Sequence, residues 1–187
     1  MSRTSMDMTR GSLKKQILFF SIPLMLSNLL QVLFNMSDIA VIGQFAGAMS
    51  LGAVGSTTTL ISMYTGFLIG LSGGINVLTA LYIGARNRKS VSETVHSAFL
   101  VSLVVGLILL ILGVSTSRGV LVLLNTKEEL IDKAALYIRI YFLGIPALAL
   151  YNFGNAVFSA AGDTGRPLRY LFLSGIVNVI LNLFFVI

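Results

Sequence analysis

The first apolar segment of the chain, residues 17–43, carries polar side chains that could bind a metal cation or a proton. Its one charged residue is Asp38, preceded at intervals of three or four positions by Asn35, Gln31 and Ser27, with Asn28 beside them. In an α-helix these intervals place the side chains on one face. Because a carboxylate is costly in lipid, we expect that face to lie against protein or a water-filled cavity.

Two simpler interpretations of this face stay open. Asp38 lies roughly 31 Å along a helix axis from Ile17, which would let it reach water at the far membrane interface. The amides could instead join neighbouring helices by hydrogen bonds and have no further role.

Two later apolar segments repeat the pattern of polar residues on one helical face. The segment at about residues 134–161 holds Asn152, Asn155 and Ser159, and the segment at 168–187 holds Ser174, Asn178 and Asn182, all at intervals of three or four. The earlier of these segments also contains Arg139, close enough to its start for the side chain to extend to the interface. We favour that arrangement over a buried ion pair.

Composition identifies the class of protein. Of 187 residues, 56% are hydrophobic and 11% are charged, with a mean hydropathy of +0.91, which indicates a polytopic membrane protein. The net charge of +6 resides in short clusters between apolar segments, so we expect no nucleic-acid partner. With no cysteine and only His96, a zinc site is not expected. The sequence also offers no acid–base pair, so an enzyme is not expected.

The apolar segments predict an all-α fold with five membrane helices. They cover about residues 17–43, 51–83, 95–114, 134–161 and 168–187, after a tail at residues 1–16. The spacing of Gly66, Gly70 and Gly74 predicts close helix packing along the second segment. The third segment is almost uniformly apolar, so we expect it to face mainly lipid and to end before a loop at Arg118.

The basic residues predict the orientation of these helices. Lys and Arg are concentrated in the tail and in the loops after the second and fourth segments, which places those parts and the N-terminus in the cytoplasm of a cell-membrane protein. Nine basic residues lie on that side and three on the other: Arg3, Arg10, Lys14, Lys15, Arg86, Arg88, Lys89, Arg166 and Arg169 against Arg118, Lys127 and Lys133. The chain ends at Ile187 within an apolar run, which we interpret as a fragment of a longer protein.

The order of these motifs resembles the N-terminal half of a multidrug and toxic compound extrusion (MATE) transporter over essentially the whole chain. The features that carry the resemblance are the basic tail with Pro23, residues 29–31 leading to Asp38 and Gly43, the Gly-rich second helix, residues 83–86, Tyr137 and Pro146, the turn at residues 162–167, and Asn178.

The resemblance implies an antiporter with twelve helices in two six-helix lobes, of which this chain holds five helices of one lobe. Such proteins export organic, usually cationic, compounds in exchange for Na⁺ or H⁺, with no other cofactor. Asp38 corresponds to the family's coupling carboxylate and is the candidate Na⁺ ligand, with Asn35, Asn178 and Asn182 as its partners. The family often has Asp where this chain has Asn182. For the substrate cavity we predict Gln31, Asn152 and Asn155.

The main alternative function is a flippase for lipid-linked saccharides, which has the same superfamily architecture. Such a protein is expected to have a cationic cavity for pyrophosphate, whereas the polar faces here hold amides and Asp38. A scaffolding membrane subunit would not need a polar face with a carboxylate. The expected partners are the lipid bilayer, a small organic cation and the missing C-terminal lobe, without which we expect no transport.

Overall fold

A computed structural model describes residues 12–186, so most of the predicted tail lies outside the described residues. Throughout that range the elements are helices. Their bounds are α1 (Leu13–Val41), a π-helical turn (Ile42–Ala46), α2 (Gly47–Gly84), α3 (Arg88–Leu123), α4 (Glu128–Leu143), α5 (Ile145–Ala160) and α6 (Gly165–Val186).

The chain reverses direction between α1 and α2. Residues 14–84 form one run of 71 helical residues, which if straight would extend roughly 106 Å, far beyond a membrane. Gly47 breaks the run, with φ 79° and ψ 169°. A side-chain carbon at Gly43 would lie 3.5 Å from Leu51, whereas eight residues of straight helix span roughly 12 Å. The run therefore makes two membrane crossings.

A bend of 48° separates α4 from α5 at Gly144. Pro146, at the start of α5, has no N–H to donate to the Phe142 carbonyl, and the Gly144 N–H before it donates to the Tyr141 carbonyl at 3.0 Å. The two helices form one bent crossing, which matches the predicted fourth segment. Together with α1, α2, α3 and α6 this gives five crossings, so the predicted all-α fold of five membrane helices is confirmed.

The third helix is longer than the sequence suggested. It runs through the predicted loop, and Arg118 lies within α3, where its Nη2 is 3.3 Å from Asp132 Oδ1 on α4. The prediction of a loop there was wrong. The run of Ser and Thr at residues 115–117 did not end the helix, because each hydroxyl donates to a backbone carbonyl three or four residues earlier.

The core lies where α3 meets the bent α4–α5 pair. One face of α3 is buried and consists mainly of small residues: Ala98, Ser102, Gly106, Gly113 and Ser117, with Leu109 and Leu121. A side-chain carbon at Gly106 would lie 2.8 Å from the Pro146 Cα, and one at Gly113 would overlap the Phe142 ring. The rest of α3 is largely exposed, as expected for a helix that faces mainly lipid, and this one face packs against α4 and α5.

Three regularly spaced glycines of α2, unlike the two packed glycines of α3, are not closely packed against another helix. Gly66, Gly70 and Gly74 are exposed, and a side-chain carbon at any of them would meet no atom of the described residues within 4 Å. The predicted packing along these glycines is not present within residues 12–186. Against α4 and α5, close packing uses the small residues of α3 instead.

Candidate functional site

Two helices that are distant in sequence, α1 and α6, lie side by side and run parallel. The Thr164 hydroxyl donates to the Phe20 carbonyl at 3.4 Å, and the Asn182 amide donates to Asp38; both bonds join residues 144 positions apart. Between them Gly175 lies directly against the ring of Phe34. The offset of 144 positions that the two hydrogen bonds share fixes the register that brings the end of α6 to Asp38.

Asp38 lies half-buried near the end of α1 and is held by two amides of α6. Asn182 Nδ2 donates to Asp38 Oδ1, and the amide of Asn178, one turn earlier, is also within hydrogen-bonding range of the carboxylate. Tyr137 of α4 lies near enough for its phenol to interact electrostatically with Asp38. In the range 12–186 no Lys, Arg or His forms an ion pair with Asp38. The site therefore combines one carboxylate with neutral oxygen and nitrogen groups.

Such a site can hold a small cation. A carboxylate and amide carbonyl oxygens are ligands that hard metal cations prefer, and a carboxylate by itself can take up a proton. Because the amides can rotate, each can offer its oxygen to a cation or its N–H₂ group to the empty carboxylate.

Of the predicted coupling residues, Asn35 is the one that the structure does not bring to Asp38. Its side chain is exposed and has no hydrogen-bond partner among residues 12–186. Ser27, at the start of the same polar face, donates to the Pro23 carbonyl at 2.9 Å. The polar face of α1 thus divides, and only its last member, Asp38, contacts α6 through a hydrogen bond between side chains.

The other polar residues gather in a cavity between α1, α2 and α5. The cavity has a volume of about 260 Å³ and contains all three residues predicted for the substrate, Gln31, Asn152 and Asn155. Gln31 lies seven residues before Asp38, roughly 10 Å along α1. The lining has no charged side chain; the other residues there are Asn28, Ile69, Ser72, Gly73, Asn76, Tyr151, Ala156 and Ser159.

Some of these side-chain amides form hydrogen bonds to backbone carbonyls of the helices, and others do not. Asn76 Nδ2 donates to the Ala156 carbonyl at 2.8 Å and so joins α2 to α5, while Asn152 Nδ2 donates to Leu148 within its own helix at 2.9 Å. Three other side-chain amides have no hydrogen-bond partner among the described residues: those of Asn28, Gln31 and Asn155. These three amides can both donate to and accept from a bound molecule.

Comparison with known proteins identifies the family. The family model MatE matches residues 23–184, most of the chain. The chain belongs to the MatE family.

The relatives of this MatE chain are considerably longer than it is. The probable multidrug resistance protein YpnP of Bacillus subtilis is 35% identical over 182 residues, which cover 96% of this chain and 40% of YpnP. The probable multidrug resistance protein NorM of Thermotoga maritima is 26% identical, over 91% of this chain and 36% of NorM. The chain spans about two fifths of the length of these relatives.

Solved structures confirm the fold of the MatE chain. A MOP superfamily transporter from Pyrococcus furiosus, described as having a binding pocket of reversed polarity, superposes with a TM-score of 0.86 at 26% identity, over 92% of this chain and 38% of that one. A MATE protein solved in complex with MaD3S superposes with a TM-score of 0.85 at 26% identity, over 92% and 39%. With five apolar crossings, the chain is a multi-pass membrane protein.

Sequence reasoning missed part of this MatE cavity. Asn76 is the one amide within the apolar run of α2, and Tyr151 precedes Asn152 on α5. The signal for Asn76 was present, since an amide in a membrane helix needs a partner to offset its burial cost. Arg139, by contrast, stays outside the cavity: it is exposed and its Nε donates to Ser117 Oγ on α3 at 3.3 Å.

Proposed function

We propose that the full-length protein is a secondary active antiporter of the cell membrane that exports organic, cationic compounds in exchange for Na⁺ or H⁺. The observation that carries this proposal is the contact of Asp38 on α1 with Asn182 on α6. One titratable carboxylate thus lies between two helices, roughly 10 Å from a neutral cavity of about 260 Å³. The names of the relatives YpnP and NorM, as probable multidrug resistance proteins, support export of drugs.

The coupling would work by competition for one negative charge. While Asp38 is ionised, it attracts a cationic substrate or a coupling cation. Once H⁺ or Na⁺ neutralises it, the cost of burying this part of α1 and α6 falls, and the protein shifts towards arrangements that bury it. The ion gradient and the membrane potential, worth about 2.3 kcal/mol per charge at 100 mV, would drive the cycle.

In this proposal Asp38, Asn178 and Asn182 bind the coupling ion, and the cavity amides Asn28, Gln31 and Asn155 contact the substrate. Neutral amides suit a range of compounds, because each offers both a donor and an acceptor. The N-terminus would lie in the cytoplasm, and a second lobe would complete the transport path. The lining of the described cavity has no cation that could bind a pyrophosphate, which favours the antiporter over the flippase.

The test uses the complete gene in cells that lack their major drug exporters. Efflux of a fluorescent organic cation is measured for the parent and for Asp38→Asn, with Asp132→Asn as the matched control. Asp132 is also an aspartate, and its side chain is 83% exposed near the start of α4. We expect efflux by the parent and the control but not by Asp38→Asn. Collapse of efflux when the Na⁺ or the H⁺ gradient is dissipated identifies the coupling ion.

Other results would count against the proposal. Equal efflux by the parent and Asp38→Asn would remove Asp38 from coupling. Efflux that survives loss of both gradients would exclude an antiporter. If the parent exports no cation tested, the proposed substrate class fails and lipid-linked saccharides become the next substrates to test.

A further inference from the structure

A groove between α1 and α6 is separate from both the amide cavity and the Asp38 site. It has a volume of about 550 Å³ and is lined by three leucines of α1 and by the first turns of α6: Leu26, Leu29, Leu30, Leu168, Arg169, Phe172 and Leu173. All the surface that lines it is apolar, so Arg169 contributes only its aliphatic stem. None of these residues lines the amide cavity.

The guanidinium group of Arg169 has no partner within the described chain. The side chain of Arg169 is exposed and forms no ion pair or hydrogen bond with any of residues 12–186. Arg166, one turn earlier, differs: its Nε lies 3.0 Å from Asp163 Oδ2. The charge of Arg166 is therefore paired within the protein. The charge of Arg169, beside an apolar groove, is not paired with any described residue.

The position of Arg169 relative to the membrane suggests which anionic group would pair with its guanidinium. Arg169 lies in the second turn of α6, roughly 6 Å along the axis from Gly165, on the side where the basic loops predict the cytoplasm. A guanidinium there can extend to the headgroup level, where anionic phospholipids concentrate and where Arg binds phosphate with two parallel hydrogen bonds. The apolar groove continues from that point along Leu29 and Phe172 towards the bilayer centre.

We propose that this groove binds an anionic phospholipid of the cytoplasmic leaflet, with its phosphate on Arg169 and one acyl chain along the groove. The charge of Arg169 and the wholly apolar lining together match a phosphate joined to a hydrocarbon chain. Such a lipid would pack against both α1 and α6 and so support the helix pair that holds Asp38 beside Asn182. The proposal depends on the predicted orientation but not on the transport activity.

The experiment measures lipid binding by the purified full-length protein with native mass spectrometry. The probes are phosphatidylglycerol and phosphatidylcholine with identical acyl chains. For the parent we expect phosphatidylglycerol to bind at least fivefold more tightly. Arg169→Gln should remove that preference, whereas Arg88→Gln, which changes an exposed basic residue of α3 on the same side, should retain it.

A second variant tests the groove itself. Leu29 is 55% exposed, so Leu29→Trp should fill the groove without disturbing the core and should weaken binding of both lipids. Leu123→Trp, at an 82% exposed position of α3, is the control. A parent without preference, or equal losses in Arg169→Gln and Arg88→Gln, would overturn the proposal. If Leu29→Trp leaves lipid binding unchanged, the groove is covered by the rest of the protein or by a second copy, and the proposal fails.

Discussion

The ring of Phe34 on α1 occupies the space that a side chain at Gly175 of α6 would need. The contact lies between the bonds of Thr164 with Phe20 and of Asn182 with Asp38, so it sets the spacing of the two helices next to the carboxylate. Only glycine allows this approach without movement of one helix or of the ring. The ion site therefore depends on a residue that carries no polar group.

The first prediction concerns this spacing. Gly175→Ala should destabilise the full-length protein by roughly 1–3 kcal/mol, the usual cost of overpacking, and should reduce efflux by separating Asn182 from Asp38. Thermal unfolding of the detergent-solubilised protein and the efflux assay measure the two effects. Gly119→Ala on α3 is the control, since a side chain there meets no described atom within 4 Å. Equal stability of the two variants would contradict the prediction.

The sequence was sufficient to predict the helices but not which of their faces meet. Both α2 and α3 have glycines at helical spacing, yet Gly106 and Gly113 of α3 pack closely while Gly66 and Gly70 of α2 are exposed. Spacing shows that a face can be packed closely. Which helix covers that face depends on the fold of the whole chain, here on the bend at Gly144 that brings Pro146 against Gly106.

At the candidate site, too, the sequence predicted the helical face but not which of its residues contacts the next helix. Intervals of three and four placed Gln31, Asn35 and Asp38 on one face of α1, and the structure keeps them on that helix. However, α6 packs against the part of α1 that includes Asp38, so Asp38 contacts Asn182 while Asn35 remains exposed. Helical periodicity predicts which residues share a face, and the position of the neighbouring helix decides which residue on that face forms the contact.

The second prediction concerns the amide in the place where the family often has a carboxylate. Asn182→Asp would put a second negative charge against Asp38, and the repulsion would be relieved by binding H⁺ or Na⁺. We expect the concentration of coupling ion for half-maximal efflux to fall at least about tenfold, which corresponds to about 1.4 kcal/mol. Asn125→Asp, in the exposed turn between α3 and α4, should leave it unchanged. A rise in that concentration would argue against Asp38 as the coupling site.

The third prediction concerns the turn that begins α6. Asp163 is 3% exposed; its Oδ1 accepts from the Arg166 N–H at 3.1 Å, and its Oδ2 pairs with the Arg166 side chain. Asp163→Asn keeps an acceptor for the N–H but removes the charge. It should cost about 1–3 kcal/mol of stability, less than a fully buried pair, because the Arg166 side chain is 38% exposed.

Two further variants separate the two roles of Asp163. Asp163→Ala also removes the helix cap and should cost a further 0.5–2 kcal/mol or so in thermal unfolding. Asp132→Asn, which breaks an exposed pair with Arg118, should cost no more than about 1 kcal/mol. If Asp163→Asn and Asp132→Asn unfold at the same temperature, the pair of Asp163 with Arg166 contributes no more than the exposed pair of Asp132 with Arg118.

The last prediction concerns Asn76, which links α2 to α5 and also lines the amide cavity. Asn76→Leu has similar volume but cannot donate to the Ala156 carbonyl. Because hydrogen bonds between membrane helices are worth about 0.6–2 kcal/mol, thermal unfolding should show a loss of that size. Efflux should fall as well, since the change makes the cavity wall apolar. The neighbouring Val77→Leu, at a position that is 64% exposed and outside the cavity, should alter neither. A stable Asn76→Leu with reduced efflux would show that Asn76 serves the cavity alone, and an unstable variant with normal efflux that it serves packing alone.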